Sequence, residues 1–198
     1  MFDLTVFDIA FVAMFTTGIL IRAPHDKQNR LDTKVKSKFD SREKVALLSA
    51  VLGATLFPFL YLVTPLLNFA NYQVSIWQGL AGIILSIPST WLFWRSHKDL
   101  GRQFSPTLEI KTSHELITSG VYKRIRHPMY TAVLLTSISQ LLLLGNWIAG
   151  PAYLVGFLFL YFSRINKEEA LMLEQFGEQY SAYIHATNRL FPKFNGHT

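Results

Sequence analysis

The residues best suited to chemistry fall into two short stretches. The first is His114-Glu-Leu-Ile-Thr-Ser-Gly-Val-Tyr-Lys-Arg-Ile-Arg-His-Pro-Met-Tyr130, dense in histidine, tyrosine and arginine, with Ser119-Gly120 as a turn signal. Pro128 suits the first turn of a helix, because it needs no amide partner there and its fixed φ favours helix entry. The exposed N–H groups of such a helix start can hold a carboxylate or phosphate, with His127 and Tyr130 as neighbouring donors. In the second stretch Arg164 and Glu168 lie four residues apart and share a helix face, with Glu169 beside them. Two uses stay open for each stretch. Arg124, Arg126 and Tyr130 could anchor an interface, or frame a site; Arg164 and Glu168 could form a local ion pair, or bring one cation and one carboxylate to a polar pocket.

Metal chemistry has little support. His114 and His127 have no histidine at helical spacing, and there is no HExxH pattern. The chain has no cysteine, which rules out disulfides, thiolate metal sites and a thiol nucleophile.

The elements that must position these residues are apolar. Half of the 198 residues are hydrophobic and only 16% are charged, too apolar a balance for an ordinary soluble domain. Apolar runs at Leu4–Ile21, Val45–Leu67, Val74–Trp94, Met129–Leu144 and Trp147–Phe162 predict five transmembrane helices, the last two as a tight hairpin turning at Gly145-Asn146. Nothing basic precedes the first run, so it reads as a permanent anchor and not a cleaved signal. Pro58, Pro65 and Pro88 fall inside runs and are expected to mark bends, not boundaries. Apolar residues spaced along 169–183 predict a C-terminal amphipathic helix interrupted at Gly177.

Charge gives the orientation. Of nineteen Lys and Arg residues, eight lie in 22–44, seven in 95–128 and four in 163–198, while the N-terminus and the other two connections carry none. The positive-inside rule then sets the N-terminus outside, and the C-terminus and both chemistry-bearing stretches in the cytoplasm. The net charge of +6 is thereby explained by a membrane and its lipids, and no nucleic-acid partner is implied. The expected fold is an all-α integral membrane bundle. Residues 1–94 supply three helices and a basic loop at 22–44; residues 95–198 supply the functional core.

Leu116-Ile-Thr-Ser-Gly-Val-Tyr-Lys-Arg-Ile-Arg-His-Pro-Met-Tyr130, followed after one hairpin by Glu168-Glu169, Phe176-Gly-Glu-Gln-Tyr180, Tyr183, Arg189 and Pro192, resembles the isoprenylcysteine carboxyl methyltransferase family. The resemblance covers roughly residues 99–192. It implies a membrane methyltransferase that uses S-adenosylmethionine and acts on a lipophilic or prenylated acceptor carboxylate. Carried over position by position, it implies cofactor contacts from His114, Glu115, Leu116, Ile117, Tyr122, His127, Pro128, Met129, Tyr130 and Glu168, or Glu169 by a one-residue slip. It further implies that Arg164 holds the acceptor carboxylate, so that Arg164 and Glu168 form the catalytic pair.

Methyl transfer from a sulfonium requires an in-line acceptor and exclusion of water, and an ionised carboxylate requires no base. The same membrane pattern is shared with methyltransferases of phospholipid amines and small thiols, for which Glu168, Glu169 or His127 would have to act as base. It is shared more distantly with nicotinamide-dependent membrane reductases. A non-enzymatic membrane scaffold would leave the linked motifs without a use.

Overall fold

The computed structural model describes residues 4–29, 34–37, 41–101, 109–111 and 115–193. Helix α1 (Val6–Asn29) opens on a reciprocal cap, in which the Thr5 N–H donates to the Asp8 carboxylate at 2.9 Å and the Asp8 N–H donates to the Thr5 hydroxyl at 3.2 Å. The second apolar run is divided. Helix α2 (Ser41–Ala54) ends at Thr55, α3 (Leu56–Val63) follows, and a 3₁₀ helix spans Pro65–Ala70. Pro58 lies in the first turn of α3 and Pro65 opens the 3₁₀ helix, each where a missing N–H removes no ladder bond. These two prolines therefore accompany boundaries, contrary to the sequence expectation, and only Pro88 lies within a continuous helix, α4 (Ile76–Leu100).

Helices α5 (Pro128–Leu143) and α6 (Ala149–Phe176) form the hairpin. Its turn is longer than the two residues expected, and it is held by the buried Asn146. The Asn146 amide donates to Leu67 O at 2.8 Å and to Asn71 Oδ1 at 2.7 Å, while its Oδ1 accepts from the Ile148 and Ala149 N–H groups. Helix α6 differs more from expectation, running unbroken past residue 162 to Phe176. Nothing in Ser163–Ala170 interrupts helix formation, and its polar face finds partners in the protein. The predicted amphipathic helix is therefore the end of α6 plus α7 (Glu178–Ala186), separated at Gly177, whose φ of 53° belongs to the left-handed region.

Apart from a short antiparallel ladder of β1 (Lys34–Ser37) with β2 (Glu109–Lys111), every regular element among the described residues is helical. Three helical segments, Val6–His25, Ser41–Val63 and Ile76–Leu100, are long and apolar enough to cross a membrane, and α5 is a shorter apolar helix. Large apolar side chains such as Phe69, Trp77, Trp147 and Phe162 are exposed on the outer surface, as lipid contact requires.

Helices α2 and α6 pack closely and run antiparallel. A Cβ on Gly53 would lie 2.4 Å from Ala152 O, and one on Gly156 would lie 2.6 Å from Ser49 O, so the two backbones touch. Ala46 and Ala50 pack with Leu160 between these contacts and the end of α2 that carries Glu43.

Candidate functional site

Five elements converge at the N-terminal end of α5. Gly120, with a φ of 59°, turns the chain ahead of Tyr122; Asp99 accepts from the Val121 N–H at 2.9 Å and from Arg95 Nε at 3.1 Å. A Cβ on Gly120 would fall 2.0 Å from Asp99 Oδ2, so the Ser119-Gly120 signal marks a position where only glycine fits. The segment after α7 then runs beside residues 125–127. The Arg126 N–H donates to Asn188 O and the His127 N–H to Arg189 O, both at 2.9 Å, and the Thr131 hydroxyl donates to Leu190 O at 2.6 Å. Tyr183 extends this clamp, its hydroxyl donating to Tyr122 O at 2.5 Å.

On this frame two neighbouring carboxylates take separate roles. Glu168 accepts from the Tyr130 hydroxyl at 2.6 Å, with His127 Nδ1 at 3.6 Å and Arg164 Nε at 3.3 Å. Glu169 receives Arg126 Nε at 3.1 Å, Arg189 Nη2 at 2.6 Å and His127 Nε2 at 3.3 Å. Arg126 continues to the carbonyls of Ile184 and Thr187, tying α6 to the end of α7. His127 therefore has one carboxylate at each ring nitrogen.

The electrostatics follow from these contacts. Burial opposes the charge on His127, yet hydrogen bonding and attraction from Glu168 and Glu169 raise its pKa above the ordinary imidazole value. Burial alone would raise both carboxyls as well. The His127 hydrogen bond and the Arg164 charge hold Glu168 at about 2, and His127 together with Arg189 holds Glu169 at about 2.

Tyr130, His127, Arg164 and Glu168 face one end of a cavity of about 490 Å³. Glu115, Leu116, Ile117, Tyr122, Arg126 and Met129 line it too. The rest of the lining is mostly apolar, contributed by α1 and α2 (Met14, Ile19, Leu47, Ala50, Val51) and by Val133, Phe157 and Leu160, with Arg22 of α1 as a further charged group. Most of the expected site is thus brought together. Pro128 is buried at the first position of α5 without lining the cavity, and His114 lies outside the described residues. Arg126 and Tyr130 point inward and are not interfacial anchors; Arg124 is exposed. With Arg164 only 7% exposed, its contact with Glu168 is no surface ion pair.

The sequence alone did not single out Glu43, a fully buried α2 residue whose Oε1 lies 3.8 Å from Arg164 Nε. Nor did it single out Arg22, a cavity-lining residue counted only as part of the basic loop. A signal for Glu43 exists in the stripe Glu43, Ala46, Ala50, Gly53, in which a lone acid heads a row of small residues at helical spacing.

The sequence model of the isoprenylcysteine carboxyl methyltransferase family matches residues 80–174. Protein-S-isoprenylcysteine O-methyltransferase A of Arabidopsis thaliana is 28% identical over 144 residues, which cover 72% of this chain and 73% of that protein. Protein-S-isoprenylcysteine O-methyltransferase B of the same plant is 35% identical over 85 residues, covering 42% and 43%. The Homo sapiens protein-S-isoprenylcysteine O-methyltransferase is 29% identical over 109 residues, covering 54% and 38%. The solved structure of the eukaryotic intramembrane Ras methyltransferase aligns with a TM-score of 0.53 at 25% identity, over 81% of this chain and 56% of that one. The matches thus span about three quarters of the first relative and under half of the other two. The matched segment runs from α4 to α6 and carries the His127, Tyr130, Arg164 and Glu168 side chains of the cavity, so it is in this half of the chain that the similarity to the isoprenylcysteine carboxyl methyltransferase family lies.

Proposed function

We propose that the chain is an integral membrane methyltransferase that moves a methyl group from S-adenosylmethionine to the carboxylate of a prenylated, isoprenylcysteine-type acceptor. The observation that carries this is a cavity lined both by the charged and polar groups His127, Tyr130, Arg164 and Glu168 and by many apolar side chains of α1, α2, α5 and α6. A lipid-tailed carboxylate and a polar cofactor need such a pair of surroundings side by side.

The residues present fit a cationic cofactor, because Glu168 is held ionised at the cavity wall by Tyr130, His127 and Arg164. Glu115, Leu116, Ile117, Tyr122, His127, Met129, Tyr130 and Glu168 would hold it, together with Pro128 through the backbone it fixes and His114, the residue before Glu115 in sequence. When bound, S-adenosylmethionine supplies an electrophilic methyl group on a sulfonium. Arg164 orients the acceptor carboxylate, which a planar guanidinium does with two donors. The apolar wall takes the lipid tail and keeps water from the reacting oxygen. No side chain has to remove a proton, because the acceptor is already ionised.

The topology we propose has five crossings, with α2 and α3 as one, the N-terminus outside, and the cavity's charged end in the cytoplasm. It is supported by the confinement of basic residues to three segments and by the meeting of all three in space. The His25 and His97 rings are 5.0 Å apart, and Arg22 and Arg164 line one cavity.

Calorimetry on the detergent-solubilised chain tests the cofactor assignment. S-adenosylmethionine and its demethylated product should both bind and NADPH should not; binding of NADPH alone would move the assignment to a reductase.

A further inference from the structure

We propose that Glu43 is a positioning residue for Arg164, holding the guanidinium against the cavity wall so that it meets the acceptor carboxylate in one orientation; this rests on the role given to Arg164 above. Glu43 Oε1 lies 3.8 Å from Arg164 Nε, and Glu168 Oε2 lies 3.3 Å from the same nitrogen. Arg164 is therefore bracketed by one carboxylate from α2 and one from its own helix. Glu168 lines the cavity and Glu43 does not, so Glu43 acts from behind.

The pairing follows from the packing register. Gly53 sits on Ala152, Ser49 and Ala50 on Gly156, and Ala46 on Leu160, each step toward the start of α2 matched by a similar step toward the end of α6. One further turn brings Glu43 to Arg164. The other buried α2 residues, Ala46, Ala50 and Gly53, are small or apolar, so Glu43 is the charged residue among them. A carboxylate with no exposed surface is costly to bury unless it is paired. Simple helix adhesion would be served better by another alanine, which makes orientation of Arg164 the gain that accounts for an acid here. A bidentate contact depends on the plane of the guanidinium fork, and small misplacements of a positioning group are expensive in rate.

The test compares two competitive ligands with the same prenyl tail, one ending in a carboxylate and one in an alcohol, on the full chain in detergent. Glu43→Gln keeps the shape and removes the charge. It should weaken the carboxylate ligand by roughly tenfold or more, leave the alcohol within about twofold, and leave S-adenosylmethionine affinity within about twofold. Equal loss for both ligands would mean that Glu43 only supports the fold, and unchanged carboxylate affinity would mean that Arg164 is positioned without it. Either result overturns the inference. If Glu43→Gln does not fold, Glu43→Asp, which withdraws the charge by one methylene, should show a smaller loss confined to the carboxylate ligand; loss on both would again overturn it. A parent chain that binds the two tails equally would instead remove the acceptor role of Arg164 itself.

Discussion

Glu168 and Glu169 are adjacent on α6 yet serve different structures: Glu168 takes the Tyr130 hydroxyl at 2.6 Å beside the cavity, and Glu169 takes Arg126 and Arg189 on the side facing the C-terminal segment. Successive residues of a helix point about 100° apart, so one position decides whether a carboxylate meets the cavity or the scaffold. Glu168→Gln should therefore lower S-adenosylmethionine affinity by roughly ten- to a hundred-fold with little change in melting temperature. Glu169→Gln should do the opposite, costing on the order of 3 kcal/mol of stability by leaving buried Arg126 without its carboxylate. Calorimetry and thermal unfolding of the two variants separate these outcomes. Reversed behaviour would exchange the roles.

Arg164→Ala should reduce turnover of a prenylcysteine-type acceptor by about a hundred-fold or more. Cofactor affinity should fall too, though by less than about tenfold, since Arg164 also touches Glu168 at 3.3 Å. Measuring the KM for each substrate tests this. A cofactor loss larger than the acceptor loss would place Arg164 on the cofactor side.

The coupled charges around His127 set a pH window. Glu168 and Glu169 are depressed to about 2 in the folded chain, so the stability they contribute is complete above the unfolded carboxylate pKa, about 4.3, and is lost as pH falls from there toward about 2. His127 is raised, so its contribution is complete below about 6.5 and is lost as pH rises through its folded value. Thermal unfolding across pH should show a maximum between these limits. In His127→Gln the alkaline decline should shrink, and the acid decline should shrink in part, leaving the share due to Arg164, Arg126 and Arg189.

The α2–α6 seam should not tolerate a larger side chain. Gly156→Leu places atoms where Ser49 O would lie 2.6 Å from the new Cβ, forcing the helices apart at a cost of about 1–3 kcal/mol or more. Thermal unfolding measures the loss, and no loss would mean that the helices do not touch there.

Cysteine labelling checks the topology, because the chain has none of its own. Cysteines placed at Lys36 and at the exposed Trp147 should label from opposite sides of the membrane. Trp147 is preferable to Asn146, whose side chain holds the hairpin turn.

Much of this arrangement is written locally. The His127-Pro128 helix start, the Ser119-Gly120 turn and the i, i+4 spacing of Arg164 and Glu168 depend on residues close in sequence, and the structure has all three. What depends on distant partners could not be read. Arg126 looks like any interfacial arginine until α7 returns to offer the Ile184 and Thr187 carbonyls. Glu43 looks like one charge in a basic loop until the glycine contacts of α2 and α6 bring it to Arg164. The break at Thr55 and the unbroken passage of α6 through residue 162 were missed for a related reason. Hydropathy marks where lipid faces a helix, not where backbone hydrogen bonding stops.

Methyl transfer to a prenylated carboxylate is tested on the purified chain in lipid or detergent with methyl-labelled S-adenosylmethionine and a short S-farnesylcysteine acceptor. Label should appear in a base-labile methyl ester, strongly reduced in Arg164→Ala and Glu168→Gln. Label appearing instead on an amine or thiol acceptor, with the carboxylate left unmodified, would contradict it.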